Sequence, residues 1–405
     1  MKLVKHLFKK YKLLFACILA LSVIVGLSFY TRYLVDKFNM AEKYKVVAPA
    51  LTLSSEENFI SKAYFNNVPG EDIALNPILD IIHNAKYSIE VAMFSFDSLK
   101  LKQGLYEAAA RGVKVTLILD ASRSAKHDMI FSDLPASIKR IDLGGFNPDV
   151  SAENIYMHHK LLIADRGYDT EEIATGSMDY TSKGEKYEQG FFMISPDKVL
   201  AKIYESEMDL LKSGITGVDK LKQKDYYPWA AHIKYADSYV DVWISPGFNE
   251  NSVQNKIVEE IAKAQKSINV IMWQFTDKVI ADALIEKAKN GVPVKIITED
   301  LVANDLNSKI PYIKNIAMSD KINNIEIVLD TKLANQMDLS KMPTGFSPFI
   351  HHHFMIIDNS TLIFSTSNWS IWGFYKNDED TIITDNKYLI TEFQKTFDYF
   401  YKILK

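Results

Sequence analysis

The sequence predicts an α/β protein made of two homologous halves preceded by one transmembrane helix, and three observations lead to this fold class. Residues 82–120 and 261–299 align without gaps at a constant offset of 179 residues. Each copy alternates strand and helix patterns, and an uncharged apolar segment lies near the N-terminus. A chain of 405 residues with 47% hydrophobic content can bury the cores of two such halves.

The apolar segment near the N-terminus predicts a membrane anchor. Residues 13–30, LLFACILALSVIVGLSFY, carry no charge and are long enough to cross a hydrocarbon core of about 30 Å as a helix. Five lysines precede them, so residues 1–12 are expected in the cytoplasm and the body of this single-pass protein outside it. A cleaved signal peptide is the alternative, but no convincing small-x-small cleavage site precedes Thr31.

Composition excludes several kinds of chemistry. Cys17 is the only cysteine and lies in the predicted anchor, which excludes disulfides, a cysteine nucleophile and cysteine zinc sites from the body. The formal net charge is −4, and the body without the five N-terminal lysines is more acidic still. Such a protein has no global basic field to attract nucleic acid.

Each copy of the repeat predicts the same order of elements. An amphipathic helix precedes a short apolar strand. The helices are expected at roughly 76–86 and 253–265, and the strands at 88–94 and 267–273. A second helix ends at Gly112 and at Gly291, where glycine favours the left-handed conformation that closes a helix, and a second strand follows. This order predicts βαβ units and therefore mixed, largely parallel sheets covered by helices.

These elements divide the chain into segments. The first half is expected at residues 61–219 and the second half at residues 240–405. Residues 31–60 are predicted to be a linker, and residues 220–239, rich in Lys, Tyr and Asp, a connection between the halves.

Each half also carries the same histidine motif. The stretches are YMHHKLLIAD, residues 156–165, and FIHHHFMIID, residues 349–358. The spacing H-x-K-x4-D is formed by His158, Lys160 and Asp165 and, with histidine in place of lysine, by His351, His353 and Asp358. Because side chains alternate along a strand, His159 and His352 are expected to face away from the site. Three adjacent histidines could bind a metal, but no second cluster with ligand spacing occurs, so neither metal nor cofactor is predicted.

Small polar residues and an acid follow each motif. They are Ser177, Asp179 and Glu188 in the first half and Thr366, Asn368 and Glu379 in the second. Hydroxyl and amide groups near a strand end suit a pocket that hydrogen-bonds phosphate oxygens. Ser177, Asp179, Thr366 and Asn368 are therefore candidates for binding a substrate phosphate.

This duplicated motif resembles the signature of the phospholipase D superfamily, and the resemblance covers roughly residues 60–400. It implies two halves related by a pseudo-twofold axis, with one metal-independent active site at their interface. It also implies that one histidine attacks the phosphorus of a phosphodiester to form a phosphohistidine. The other protonates the leaving alcohol and then activates water or a second alcohol.

The resemblance also assigns roles. His158 is expected to be the nucleophile, His351 the general acid and Lys160 a phosphate ligand, although the two histidine roles could be reversed. Glu188 and Glu379 match the acid that orients a histidine in the family, with an ordinary surface acid as the alternative for Glu188. Asp165 and Asp358 are expected to support the strand ends. Histidine titrates near neutrality and lysine carries a lasting charge, which suits both roles.

Three positions depart from the family pattern. His353 replaces the second lysine, Asp179 stands where the first asparagine is expected, and Ser365-Thr366 replaces a glycine-serine pair. If His353 supplies the missing cation by protonation, activity is expected to rise toward acid pH.

Three functions remain open at this stage. The favoured one is a membrane-anchored phosphodiesterase or phosphatidyltransferase acting on phospholipid, consistent with the anchor, the acidic body and the aromatic residues Trp369, Trp372, Phe374 and Tyr375. For the aromatic group itself, core packing is the default expectation and a lipid-facing rim the sharper alternative. An extracytoplasmic endonuclease acting on nucleic acid is the second candidate, and a degenerate phosphodiester-binding protein the third. The sequence makes no prediction of the oligomeric state.

Overall fold

Two mixed β-sheets organise the computed structural model, which describes residues 51–66, 74–144, 155–222, 230–247, 252–336 and 348–405. These residues lie in one compact unit, Ala48–Lys405. None of the helices in the described ranges has the length and apolar character needed to cross a bilayer. The predicted anchor, residues 13–30, lies outside the described residues.

The first half contains nine strands and five α-helices among the described residues. Its strands are β1 Leu51–Ser54, β2 Lys62–Phe65, β3 Ser88–Met93, β4 Lys114–Asp120, β5 Ile138–Leu143, β6 Lys160–Ala164, β7 Glu172–Gly176, β8 Glu188–Gln189 and β9 Phe191–Ser195. Its helices are α1 Leu75–Asn84, α2 Leu99–Ala110, α3 Ser124–Ile130, α4 Ser182–Lys186 and α5 Lys198–Lys212.

The second half repeats this order from residue 230 onwards. Its strands are β10 Ala230–Lys234, β11 Tyr239–Ser245, β12 Ile268–Met272, β13 Val294–Thr298, β14 Ile325–Leu329, β15 Phe349–Ile350, β16 His353–Ile357, β17 Thr361–Ser365 and β18 Glu379–Thr384. Its helices are α6 Val253–Lys263, α7 Lys278–Lys289, α8 Asp300–Ala303, α9 Ile310–Ser319, α10 Ile371–Tyr375 and α11 Lys387–Leu404. The predicted repeat is present in both halves, and Gly112 and Gly291 close α2 and α7 with φ of 94° and 91°.

The sheets are mixed, but the prediction that they are largely parallel is wrong. The first sheet has the order β2-β9-β7-β6-β3-β4-β5, and the second has the order β1-β10-β11-β18-β17-β16-β12-β13-β14. Parallel pairing links β3 to β4 and β5, and β12 to β13 and β14. The motif strands β6 and β16 enter antiparallel to β3 and β12, and β7 and β17 pair antiparallel with the motif strands in turn. Helices join the parallel strands β3, β4 and β5, whereas short connections join the antiparallel pairs β6–β7 and β16–β17.

Two predicted boundaries also differ from the structure. Leu51–Ser54, inside the predicted linker, forms the edge strand β1 and pairs in parallel with β10. Ala230–Lys234, inside the predicted connection, forms β10 and pairs with β11. Both segments are short; Leu51–Ser54 becomes a strand by pairing with β10, which lies far away in sequence, whereas β10 also pairs with the adjacent β11.

The main apolar core lies between the two sheets. Helix α5 contacts β6 and β7 of the first sheet and β10 of the second, while α11 contacts β2 of the first sheet and β12, β16 and β17 of the second. Their buried side chains form one cluster with strands of both halves, including Phe191, Phe354 and Phe393. The two halves therefore share a core, which fixes the sheets relative to each other.

The motif aspartates brace the start of the central strands. Asp165 accepts backbone hydrogen bonds from Lys86 at 2.9 Å and Tyr87 at 2.7 Å, next to β3. Asp358 accepts the equivalent bonds from Lys266 at 2.7 Å and Ser267 at 2.9 Å, next to β12. Each carboxylate therefore ties the far end of its motif strand to the turn that precedes the neighbouring strand.

We expect Asp165→Asn to lower the free energy of unfolding by about 2 kcal/mol, because hydrogen bonds to a charged acceptor are replaced by bonds to a neutral amide. Asparagine tolerates the positive φ of 50° at this position, so the backbone is not strained. Urea unfolding measures the effect. The exposed Asp169→Asn is the control and should change stability little; equal stability of the two variants contradicts the bracing role.

The same carboxylate should make stability depend on pH. Burial raises the pKa of Asp165, but the hydroxyl of Thr170 and the backbone donors outweigh burial and lower it. Its contribution is therefore present above the ordinary carboxyl pKa and is lost as the pH falls through the lowered value.

Candidate active site

The two motifs lie at matching positions in the two sheets. Lys160 is the first residue of β6 and pairs with Met93, the last residue of β3. His353 is the first residue of β16 and pairs with Met272, the last residue of β12. Both motifs therefore lie at the carboxyl ends of the parallel strands, where ligand sites of α/β sheets are found.

Two short parallel contacts bring the halves together beside the motifs. Strand β15 pairs with β8 of the other half, and Met157 forms the related bridge with Asp378. The backbone N–H of His158 donates to the carbonyl of Asp378 at 3.0 Å, and that of His351 donates to the carbonyl of Gln189 at 2.7 Å. Each histidine therefore enters the site next to the acid of the opposite half.

The histidine of each half is held by the glutamate of the other half. Nδ1 of His158 lies 2.9 Å from Oε2 of Glu379, and Nδ1 of His351 lies 2.5 Å from Oε1 of Glu188. All four side chains are buried. Because an ionised carboxylate only accepts, each Nδ1 carries a hydrogen, and Nε2 is the ring nitrogen that does not contact the acid. The acids predicted to orient the histidines lie in contact with them.

The charge state of the first pair suits a nucleophile. Burial lowers the pKa of His158, and the carboxylate of Glu379 opposes that shift without cancelling it. Burial would raise the pKa of Glu379, but His158, Lys160 and Thr366 outweigh burial and lower it. At neutral pH a neutral imidazole therefore faces an ionised carboxylate, as a nitrogen nucleophile requires.

Two aromatic rings that sequence reasoning missed pack against the histidines. The ring centroid of Phe94 lies 4.6 Å from that of His158, and the centroid of Trp273 lies 4.6 Å from that of His351. Each follows directly after its central strand, and the repeat offset relates the two positions. The sequence signal for these two rings was the presence of an aromatic residue at the same position in both copies of the repeat.

Lys160 supplies a cation at the centre of the site. Its Nζ lies 3.2 Å from Nε2 of His158 and 3.6 Å from Oδ1 of Asp179, and its side chain is fully buried. Asp179 Oδ1 also accepts from the backbone N–H of Ser95 at 3.3 Å. The aspartate that replaces the expected asparagine thus partly balances the lysine charge.

Two segments of the chain, residues 78–212 and 257–401, match one family model, which is described as cardiolipin synthase, PLD-like domain. Together they cover more than half of the 405 residues. The chain belongs to this family. Membership of the phospholipase D superfamily, predicted from the duplicated motif, is confirmed, and members of that superfamily are phosphodiesterases and phospholipid-modifying enzymes.

Individual relatives of this PLD-like protein are distant. The mitochondrial cardiolipin hydrolase of Xenopus laevis is 22% identical over 148 residues, which are 36% of this chain and 60% of that protein. The chain therefore spans about 60% of the length of this curated relative. Phosphatidylserine synthase of Haemophilus influenzae matches with a TM-score of 0.60 and 14% identity over 86% of this chain and 88% of that one. Polyphosphate kinase of Porphyromonas gingivalis matches with a TM-score of 0.53 and 10% identity over 84% of this chain and 50% of that one. At these identities the two structures show the shared fold.

His353 of this PLD-like protein does not behave as the sequence suggested. Burial lowers its pKa well below the ordinary value, and the charges of His351, Lys160 and His158 lower it further. The imidazole is therefore neutral at neutral and mildly acidic pH. The lowered pKa contradicts protonation of His353 as the source of the missing cation, because a cation would have to form in a buried site beside Lys160. The pH dependence of activity itself stays a prediction.

The four predicted phosphate-binding residues are engaged in different ways. The hydroxyl of Thr366 donates to Oε2 of Glu379 at 2.8 Å, so Thr366 supports the acid that holds His158. Oγ of Ser177 accepts from the backbone N–H of Phe191 at 3.2 Å and keeps its hydrogen for another acceptor. Oδ1 of Asn368 is buried and has no hydrogen-bond partner among the described residues. Asp179 faces Lys160, as described above.

The middle histidines of the motifs face away from the site and have opposite surroundings. Burial would lower the pKa of His159, but Asp380 and Glu207 outweigh burial and raise it to about 9. Nε2 of His159 lies 2.8 Å from Oε1 of Glu207, which also pairs with Lys220. His352 instead lies among rings that include Phe65 and Phe191, and burial lowers its pKa to about 3.

Sequence reasoning missed the buried charges around His159. Glu207 lies on the same face of α5 as the buried residues Tyr204, Met208 and Leu211. Lys220 reaches both Glu207 and Asp378, and its Nζ lies 2.5 Å from Oδ1 of Asp378. The sequence did contain a signal for these buried charges. Glu207 is an acidic residue at a core position of an amphipathic helix, and a buried acid requires a partner.

The aromatic group beside the second motif belongs mostly to the core. Trp369, Phe374 and Tyr375 are buried, and Trp372 is partly exposed beneath Lys376. The expected core packing is therefore confirmed for three of the four residues, and the alternative of a lipid-facing rim is wrong for those three.

We expect nuclear magnetic resonance of the imidazoles to separate the middle histidines by charge. At pH 6.5 His159 should be protonated and His352 neutral, because ion pairs surround the first ring and aromatic rings the second. The variants His159→Gln and His352→Gln assign the two signals. A neutral His159 at pH 6.5 contradicts the buried ion pairs.

Proposed function

We propose that this PLD-like protein cleaves phospholipid phosphodiesters through a phosphohistidine and transfers the phosphatidyl group to water or to an alcohol. The observation that carries the proposal is the exchange of histidine–glutamate pairs between the halves, His158 with Glu379 and His351 with Glu188. It presents two imidazoles around one buried cation, with Nζ of Lys160 3.2 Å from Nε2 of His158. A displacement at phosphorus needs these groups and no metal ion.

In the first step, Nε2 of His158 attacks phosphorus and the bond from phosphorus to the head-group oxygen breaks. His351 gives its Nε2 proton to that oxygen, so the head group leaves as a neutral alcohol. Lys160 stabilises the charge that builds on the phosphate oxygens. The lowered pKa of His158 supports its assignment as the nucleophile.

In the second step, His351 takes a proton from water or an alcohol, and the resulting oxygen attacks phosphorus. The phosphorus–nitrogen bond breaks, and its electron pair returns to Nε2 of His158. Both histidines are then back in their starting protonation states.

Local charge supports a lipid substrate over nucleic acid. Lys160 faces Asp179, and Lys126, which lies near Ser95, pairs with Asp97, so carboxylates balance these cations beside the first motif. Polynucleotide binding depends on unbalanced cations along the backbone path. The cardiolipin named in the family description and in the relatives also supports a diacylglycerol phosphodiester.

Exposed leucines at the same sheet edge add to this support. Leu301 and Leu306 follow β13 and are 75% and 99% exposed. Because β13 runs parallel to β12, this segment leaves the sheet at the edge that carries His353. Apolar side chains there suit contact with acyl chains or a bilayer surface.

We expect the full-length chain in mixed micelles with EDTA to release head groups from phospholipid, and His158→Ala to reduce the rate by more than about a thousandfold. His351→Ala should also be strongly impaired. His83→Ala, an exposed histidine of α1, is the control and should match the wild-type rate. Single-stranded DNA is the comparison substrate. Cleavage of DNA alone contradicts the lipid proposal, and a retained rate in His158→Ala contradicts the phosphohistidine.

The membrane arrangement is a further part of the proposal. We place residues 13–30 across a bilayer with residues 1–12 in the cytoplasm and the catalytic body outside it. The lysines before this segment and its apolar length support this orientation.

Leu19→Arg combined with Val23→Arg should release the protein from membranes, because each arginine at the centre of a spanning helix costs about 2.5–3.5 kcal/mol. Sedimentation of bacterial membranes after a high-pH wash measures this release. In spheroplasts, added protease should digest the wild-type body. Met318→Arg, at an exposed position of α9, is the matched control outside the segment and should stay with the membrane. A wild-type protein that does not sediment contradicts the anchor.

A further inference from the structure

The neighbour of His353 fixes which of its ring nitrogens carries hydrogen. Nδ1 lies 3.1 Å from the backbone carbonyl oxygen of Thr366. A carbonyl oxygen can only accept, so Nδ1 is the donor. In a neutral imidazole the other nitrogen then has no hydrogen and presents a lone pair. Nε2 of His353 is therefore a hydrogen-bond acceptor.

This acceptor is unused in a buried position. Nε2 has no hydrogen-bond partner within the described residues, and the His353 side chain is fully buried. Burial of an unpaired acceptor is unfavourable unless a bound molecule completes it. The ring centroid lies 4.9 Å from that of His351, and the charges of Lys160 and His158 also act on it. The open acceptor thus lies among the other motif residues.

A bare acceptor cannot do what lysine does at this position. A lysine would donate hydrogen bonds to phosphate oxygens, whereas a lone pair repels them. The group that fits Nε2 is an O–H donor close to the imidazole of His351.

We propose that Nε2 of His353 accepts a hydrogen bond from the molecule that resolves the phosphohistidine, so that the site favours an acceptor with two O–H groups, water or a vicinal diol, over a monohydric alcohol. This inference rests on the proposed function. Water gives one hydrogen to His351 and the other to His353. A diol attacks through one hydroxyl and donates the second to His353. A monohydric alcohol has one hydrogen, which His351 takes.

The atoms of this step balance. The attacking oxygen loses one proton to Nε2 of His351 and forms the bond to phosphorus, while the phosphorus–nitrogen bond breaks and returns its electron pair to His158. His353 gains and loses no proton. It holds the second O–H and thereby orients the attacking oxygen.

Partition of the intermediate tests this role, because the ratio of products does not depend on how much active enzyme is present. The full-length chain in phospholipid mixed micelles receives equal concentrations of 1,2-propanediol and 1-propanol. After correction for two hydroxyls per diol, wild type should transfer to the diol about three- to tenfold more than to 1-propanol, the range one hydrogen bond supplies.

The variant His353→Lys should lose this preference and should also form less hydrolysis product relative to 1-propanol transfer, because lysine donates and does not accept. His353→Gln keeps an acceptor oxygen and should retain part of the preference. His83→Ala is the control and should partition as wild type does. If His353→Lys yields no product, the test of the inference rests on two measurements. These are the preference for the diol over 1-propanol in wild type and the same preference in His353→Gln.

Two outcomes overturn the inference while leaving the proposed function intact. One is wild-type turnover with equal transfer to both alcohols, and the other is an unchanged preference in His353→Lys. Absence of any phospholipid turnover by wild type instead removes the proposed function, and the inference falls with it. If the diol-transfer product is the only product, the acceptor is a diol. If the hydrolysis product is the only product, the acceptor is water.

Discussion

The exchange of histidine–glutamate pairs between the halves is the interaction on which the site depends. His158 needs Glu379, and His351 needs Glu188, so neither half contains a complete acid–base pair. A buried carboxylate is costly without a partner, and a buried imidazole without one adopts no defined tautomer. The same contacts therefore satisfy four buried polar groups and hold the two motifs face to face.

This constraint also explains the short bridges at the centre of the molecule. Strand β15 and the bridge between Met157 and Asp378 are too short to be stable alone. They persist because the shared core around α5 and α11 already fixes the two sheets. Packing thus sets the distance, and the bridges set the register that brings each histidine to its acid.

The two halves keep one scaffold but have diverged in charge. The first half has Lys160 with Asp179 in the site and ion pairs around His159 behind it. The second half has a neutral His353 in the site and aromatic rings around His352. A symmetric backbone can support unequal roles because side-chain protonation depends on local burial and neighbours. A neutral histidine in place of lysine is one result.

The sequence by itself determined the duplication, the α/β class, the family and the motif residues, because hydrophobic periodicity and repeated spacing are local patterns. It also turned His159 and His352 away from the site, since side chains alternate along the extended chain that leads into β6 and β16. The family resemblance placed Asp165 and Asp358 at the strand ends. Only the tertiary structure decided the antiparallel pairing of the motif strands, the sheet role of Leu51–Ser54 and the neutrality of His353. Strand pairing and pKa depend on which distant groups become neighbours, and burial fixes those neighbours only when the chain is folded.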